Sequence, residues 1–145
     1  MEFAFGSTYG HGPDKSARRL RIHTETSAVR IVLMTRYMIS FDDGKMIIPD
    51  DEWGVVGDAA HAVVRDAQAA GVWVTGGGFQ AQQSTVLDVD GSLSHGAFPE
   101  TKAVLGGFVV LELPSREAAH EWAARIAKAC RCPQEVRVLM DDPLM

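Results

Sequence analysis

The sequence predicts an α+β domain in which two amphipathic helices cover one face of a β-sheet. Short stretches of alternating apolar residues and two longer stretches of helical spacing follow each other in the order strand, helix, two or three strands, helix, strand. Two helices are too few to cover both faces of such a sheet, so both are expected on the same face. The other face is then left apolar, and we expect a second copy of the chain to cover it in a homodimer.

The composition is that of a single globular domain with a short appendage. The chain has 145 residues, of which 46% are hydrophobic and 23% are charged. Residues 1–33 carry a net charge of +2 and residues 34–145 a net charge of −7. Because phosphate binding requires clustered Lys and Arg, this acidic body argues against a broad nucleic-acid surface.

The two cysteines and the apolar runs indicate a cytoplasmic protein. Cys130 and Cys132 are separated by one residue, which is a poor spacing for zinc, so two reduced thiols are expected. No apolar run reaches the roughly 18 residues that span a bilayer. The N-terminus shows no signal-peptide pattern. We therefore expect no membrane association.

The first 33 residues are predicted to be an N-terminal extension, and residues 34–145 the folded domain. Residues 1–28 are rich in Gly, Ser and polar residues and follow neither secondary-structure period. A flexible leader is the simplest interpretation, although Arg18, Arg19 and Arg21 could contact a phosphate or an acidic surface. A further alternative is a hairpin added at a sheet edge, because apolar residues alternate over 20–22 and 29–33.

The first strand and the first helix follow from clear patterns. Odd positions over 29–41 are apolar or Thr, and the turn-forming sequence Asp42-Asp43-Gly44 ends the strand. Asp50 or Asp51 is expected to cap a helix that runs to about Ala70, with Gly71 beyond its C-terminus. Its buried face would contain Trp53, Val56, Ala60, Val63, Val64 and Ala67. His61 and Asp66 would flank that face.

The middle of the chain predicts short strands. Residues 72–75 form one strand, and the following Gly76-Gly77-Gly78 lacks the Lys-Ser/Thr of a phosphate loop, so a bulge or close backbone packing is expected. Residues 84–89 and 92–95 form a hairpin around Asp90-Gly91. Residues 105–113 form a buried strand.

The C-terminal part predicts a helix capped by Ser115 and a last strand over 135–140. The buried stripe of this helix would consist of Ala119, Trp122, Ala123, Ile126 and Ala129. Glu121 and Arg125 would pair on its exposed side.

The chain between Met34 and Met140 resembles the YCII-related family, specifically its DGPF branch. The matching signature is His95-Gly96-Ala97-Phe98-Pro99-Glu100-Thr101-Lys102, followed by Leu105-Gly106-Gly107-Phe108. The resemblance implies a ferredoxin-like βαββαβ fold with a four- to five-stranded antiparallel sheet and both helices on one face. It also implies that two chains pair as a dimeric α+β barrel.

Two positions depart from the family signature. His95 stands where the branch has Asp, and Ala97 stands where it has Pro. A His exchanges protons near neutral pH, so His95 could preserve a base, change the reaction or mark a loss of activity. The Ala97 change loosens the turn, because Pro would fix φ there.

Three functional hypotheses remain open from the sequence. The first is binding of a small molecule in a pocket between sheet and helices near the dimer seam. The second is a cofactor-free isomerase or lyase that abstracts a proton, and the third is an accessory role in transcription regulation. No metal cluster, nucleotide loop or nucleophile elbow is visible, so no cofactor is expected. The candidate catalytic residues are His95 and Glu100, with His61 and Asp66 as the alternative pair; the candidate substrate-binding residues are Lys102 for an anionic group, Thr101, and Phe98 and Tyr37 as apolar walls.

Overall fold

The computed structural model describes residues 19–25, 28–80, 84–98, 104–142 and 144. Within these ranges the order of elements is ββαββββαβ with one short 3-10 helix. The elements are β1 (Arg19–Glu25), β2 (Ala28–Asp42), a 3-10 helix (Asp43–Lys45), α1 (Trp53–Ala69), β3 (Trp73–Gly78), β4 (Thr85–Leu87), β5 (Leu93–His95), β6 (Leu105–Leu113), α2 (Arg116–Cys130) and β7 (Glu135–Val138).

The main sheet confirms the predicted fold class. Four antiparallel strands lie in the order β7–β2–β6–β3, which is the strand order of a ferredoxin-like fold. Tyr37 on β2 lies opposite Leu111 on β6 and Val138 on β7. Because β2 and β6 lie in the centre, their odd-numbered residues form the middle of the surface on which the helices pack.

The N-terminal strand β1 pairs with the first half of β2. Arg19 lies opposite Met34 and Glu25 lies opposite Ala28, in an unbroken antiparallel register. This pairing is the one that the edge-hairpin alternative describes. Strand β2 continues through residues 33 and 34 without interruption, and the division of the chain at that point stays a prediction.

Helix α1 ends as the sequence predicts but begins later. The Glu52 N–H donates to the Pro49 carbonyl at 2.9 Å, so a turn precedes the helix and neither Asp50 nor Asp51 is its cap. At the other end Gly71 has a φ of 67°, which glycine adopts without strain. The Gly71 and Val72 N–H groups donate to the carbonyls of Gln68 and Ala67, which completes a Schellman motif.

Helix α2 begins at the predicted cap. The Ser115 hydroxyl accepts a hydrogen bond from the Ala118 N–H at 3.1 Å. The predicted stripe faces inward: Ala119 and Ala123 are buried, and Trp122, Ile126 and Ala129 are half-buried. Arg125 does not serve the expected pair with Glu121, since its guanidinium binds the Asp66 carboxylate of α1 instead.

The hydrophobic core lies between the sheet and the two helices. Ile39, Leu111 and Leu113 from the central strands are each only 1% exposed. They contact small residues on the helices, and this allows close approach of the two layers. The buried members are Met34, Tyr37, Ile39, Ala67, Val72, Leu111, Leu113, Ala119 and Ala123.

The β4–β5 hairpin forms a separate two-stranded sheet. Thr85 lies opposite His95 and Leu87 lies opposite Leu93, in the register that the Asp90-Gly91 turn predicts. The Asp90 carboxylate accepts from the Ser92 N–H at 2.8 Å within this turn. The hairpin is therefore an insertion between β3 and β6 rather than an extension of the main sheet.

Two groups of glycines permit close packing. The Phe41 ring lies against Gly106 and Gly107, where a Cβ atom would come within 2.5 and 2.6 Å of ring carbons. A Cβ atom on Gly76 would lie 2.6 Å from the Phe108 carbonyl oxygen and 2.8 Å from the Val109 Cα atom. The triple glycine is thus part of β3, where the register shifts between Trp73 and Thr75, as the expectation of a bulge or close packing anticipated.

We predict that Gly76→Ala destabilises the protein by about 1–3 kcal/mol, because the added methyl group overpacks against backbone atoms that cannot move freely. The matched control is Gly77→Ala, since a Cβ atom at Gly77 would meet nothing within 4 Å. Urea unfolding of both variants measures the difference in the free energy of unfolding. Equal unfolding midpoints for the two variants would contradict the steric role of Gly76.

Candidate functional site

A cavity of about 480 Å³ lies between the sheet and both helices. Its volume falls in the range of roughly 300–1,000 Å³ that is typical of small-molecule sites. It is bounded by the inner faces of α1 and α2 and by the ends of β2, β3 and β6 that lie near the 3-10 helix. The cavity is partly open to solvent, so a ligand can reach it.

Aromatic side chains dominate the cavity walls. All three tryptophans of the chain line it, one from α1, one from β3 and one from α2. Trp53 is 48% exposed at the start of α1, so it stands at the opening. Six aromatic residues in one cavity favour a flat, apolar ligand that stacks on their faces. They are Phe41, Trp53, Trp73, Phe79, Phe108 and Trp122.

Glycines explain why the cavity is located at this end of the sheet. Gly76, Gly77 and Gly78 of β3 and Gly106 of β6 belong to its lining. Glycines bring no side chains to the surface beneath the helices, so the space above them stays unfilled. The glycines of β3 therefore explain both the close backbone packing at Gly76 and the cavity beside it.

Two polar side chains at the cavity are available to a ligand. Asp43 and His61 both line it. Within the described part of the chain, neither the Asp43 carboxylate nor the His61 ring forms a side-chain hydrogen bond or an ion pair. Gln134 also lines the cavity, but its amide donates to the Cys132 carbonyl at 3.2 Å and is already engaged.

Ion pairs between the helices hold the walls in place. The Arg125 guanidinium binds the Asp66 carboxylate, and its carbon lies 4.2 Å from the centroid of the Trp122 ring. Arg131 binds Glu52 near the other end of the same helix pair. One face of Trp122 is thus covered by a cation, and this arrangement orients the ring of the cavity wall.

Comparison with known proteins identifies the family. The model of the YCII-related domain matches residues 37–131, which is more than half of the chain. The chain belongs to the YCII-related domain family. A comparison with curated proteins finds no match. The matched segment of the YCII-related domain runs from β2 to the residue after α2, so it includes most of the cavity lining.

His95, the main candidate of the sequence hypothesis, lies outside the cavity lining. His95 ends β5 and is exposed, and it does not belong to the cavity lining. Phe98 follows the hairpin and is 62% exposed. The catalytic role of His95 stays a prediction, and its exposed position in the YCII-related domain gives it no enclosed environment in which to act as a base.

The alternative pair from α1 is separated in the structure. His61 lines the cavity, whereas Asp66 is bound to Arg125. Five residues on a helix correspond to a rotation of about 140°, so the two side chains leave the helix in different directions.

The remaining predicted site residues do not belong to the cavity lining or lie outside the described residues. Tyr37 is 6% exposed in the core cluster and does not line the cavity. The proposed roles of Glu100, Thr101 and Lys102 concern residues outside those that the structure describes.

The described residues contain no group of three or more His, Cys, Asp or Glu side chains placed to hold a metal ion. They also contain no helix that combines the length and the apolar character needed to cross a bilayer.

Sequence reasoning missed Trp73, Phe41 and Asp43 as cavity residues. Trp73 and Phe41 were assigned to strands, and Asp43 to a turn. A usable signal was present, since all three tryptophans of the 145-residue chain lie at the ends or on the inner faces of predicted elements, and Trp53 and Trp73 have glycines close by in the sequence.

The two thiols at the end of α2 are buried and free. Cys130 lines the cavity and is 8% exposed, and Cys132 is 4% exposed. Burial raises the pKa of the Cys130 thiol. Burial also raises the pKa of the Cys132 thiol, and the nearby Cys130 adds to the effect while the Gln134 amide opposes it. Both cysteines are therefore thiols, not thiolates, at neutral pH.

We predict that these thiols make stability fall at alkaline pH. Because the folded-state pKa values are raised, the unfolded chain loses its thiol protons first as the pH rises above about 8.5. The free energy of unfolding then decreases with pH from this source, while below that pH the thiols have no effect. Urea unfolding at pH 7.5, 8.5 and 9.5 tests this, with Cys130→Ala/Cys132→Ala as control. The prediction fails when the wild type and the double variant lose stability with the same slope.

Proposed function

We propose that this protein binds a small molecule with an aromatic ring system in the cavity between its helices and its sheet. The observation that carries the proposal is the combination of an aromatic lining with two uncommitted polar side chains, Asp43 and His61. Apolar walls supply affinity through burial, and a few polar groups fix the orientation of the ligand. Membership of the YCII-related family is compatible with such a pocket.

The proposal includes the DGPF branch of the family. Residues 95–102 and 105–108 support this assignment, because they keep the spacing of the branch signature apart from His95 and Ala97. It also places the protein in the cytoplasm, where the thiols of Cys130 and Cys132 would stay reduced.

No observation favours either of the other two functions. An enzyme that depends on His95 would need that side chain in or beside the cavity, and His95 is exposed on β5. His61 is the better candidate for contact with a bound molecule, because it belongs to the cavity lining. Its role in the proposal is to donate or accept one hydrogen bond.

The test uses N-phenyl-1-naphthylamine, an uncharged aromatic probe whose fluorescence rises in an apolar site. We expect saturable binding at one site per chain. Ala60→Phe should weaken this binding at least about tenfold, because Ala60 lines the cavity and the larger ring occupies its volume. Fluorescence titration measures the dissociation constant of each variant.

Two control variants accompany this titration. Ala124→Phe adds the same ring on the exposed side of α2 and should leave probe affinity unchanged. His95→Ala should also leave it unchanged. Retained probe binding in Ala60→Phe would refute the proposed location of the binding site. Loss of probe binding in His95→Ala would indicate instead that the binding site lies at the β4–β5 hairpin.

We further propose that two chains associate through the sheet face opposite the helices. Met38 and Val110 lie opposite each other on β2 and β6. By strand alternation their side chains lie on the face opposite to the core residues Ile39 and Leu111. A sheet face that carries such apolar residues is stabilised by a second copy that covers it.

Met38→Lys should therefore convert a dimer into a monomer, because it places a charge in the centre of the covered face. Light scattering coupled to gel filtration measures the mass of each variant. Gln68→Lys, on the exposed side of α1, adds the same charge and should stay dimeric. A wild-type protein that runs as a monomer contradicts the proposed interface.

A further inference from the structure

We infer that the cavity selects positively charged aromatic molecules, such as protonated arylmethylamines, over anionic ones of the same shape. The inference rests on the proposed function and names the class of ligand. Its basis is the charge of the lining: of the described residues that line the cavity, Asp43 is the only Asp or Glu, and none is Lys or Arg.

The aromatic walls act in the same direction as the carboxylate. The face of a tryptophan ring attracts a cation placed over it, and it repels an anion. Trp53, Trp73 and Trp122 all contribute to the lining. On the Trp122 ring a cation–π contact is already present, since Arg125 lies 4.2 Å from its centroid.

The Asp43 carboxylate is held at the cavity and is free to bind. Its backbone N–H donates to the Val104 carbonyl at 2.9 Å, so the residue is anchored to the start of β6. The neighbouring Asp42 is engaged instead, because its carboxylate accepts from the Gly44 N–H at 3.1 Å. Glu52 is engaged as well, in its ion pair with Arg131.

Among the residues that the structure describes, the basic side chains close to the cavity do not cancel this charge. Arg125 and Arg131 are both paired with carboxylates, on Asp66 and Glu52. Lys45 follows Asp43 in the 3-10 helix but does not belong to the cavity lining. The described part of the lining therefore presents the negative charge of Asp43 to a molecule inside the cavity, and an ammonium group near Asp43 would be attracted.

The experiment compares three probes with one ring system: 2-naphthylmethylamine, 2-naphthylmethanol and 2-naphthoate. They carry a positive, zero and negative charge at pH 7. Each is titrated against the wild-type protein in low-salt buffer by displacement of N-phenyl-1-naphthylamine. We expect the amine to bind at least about tenfold more tightly than the carboxylate, with the alcohol between them. Because Asp43 is exposed, the ratio should shrink in 0.5 M NaCl.

Asp43→Asn should reduce the ratio between amine and carboxylate to below about threefold and leave the affinity for the alcohol unchanged. Asp141→Asn is the matched control, because it removes the same charge after β7, outside the cavity lining. Retention of the wild-type ratio in Asp141→Asn supports a local effect of Asp43. Retention of that ratio in Asp43→Asn overturns the role of Asp43.

The possible failures are distinguishable. Equal binding of the three probes overturns the charge selectivity and leaves the binding cavity intact. Tighter binding of 2-naphthoate also overturns it, and Lys102→Gln would then test whether Lys102 holds the anion. Failure of the wild type to bind either N-phenyl-1-naphthylamine or any of the three probes refutes the proposed function together with this inference.

Discussion

Close contact between alanines of the helices and branched side chains of the sheet is the constraint on which the rest of the structure depends. Ala67, Ala119 and Ala123 are almost fully buried and lie against Ile39 and Leu111 in one cluster. Small side chains allow the helix backbones to approach the sheet closely, and dispersion contacts accumulate over the whole interface. The distance between the two layers is therefore fixed where these residues meet.

The same two layers enclose a cavity beside this core, and Ile39, Ala67 and Leu111 also belong to its lining. Trp53 of α1 and Trp122 of α2 line the cavity, and glycines on β3 and β6 bring no side chains to the sheet beneath them. A closed, dry cavity destabilises a protein by about 24 cal/mol per Å³. A volume of about 480 Å³ is thus too large to remain a closed, empty defect, and its opening to solvent or its occupation by a ligand removes that cost.

The fold could be predicted from the sequence more fully than the site. Periodicity identified α1, α2 and the central strands, because burial of one face imposes a spacing that local reading can detect. The beginning of α1 was missed, since the turn from Pro49 to Glu52 depends on a backbone hydrogen bond and not on a capping side chain. The separate β4–β5 sheet was also not anticipated, because a hairpin signal does not specify the strand beside which the hairpin lies.

The site was harder to predict because its residues are distant in sequence. Trp53, Trp73 and Trp122 belong to three elements, and only the packing of these elements brings them to one cavity. Sequence reasoning favoured titratable residues within one loop, around His95, because these residues are close along the chain. Proximity in sequence is a weak guide to a site that is built between layers of secondary structure.

The signature of the proposed DGPF branch nonetheless contributes to the cavity through its glycines. A Cβ atom on Gly106 would lie 2.8 Å from the Asp43 Cα atom and 2.5 Å from the Phe41 ring, so only glycine allows both to approach β6. The Asp43 N–H completes this contact by donating to the Val104 carbonyl at the start of the same strand. The glycine half of the signature therefore positions one wall and the free carboxylate of the cavity. The departures at His95 and Ala97 fall in the other half, so they leave this arrangement unchanged.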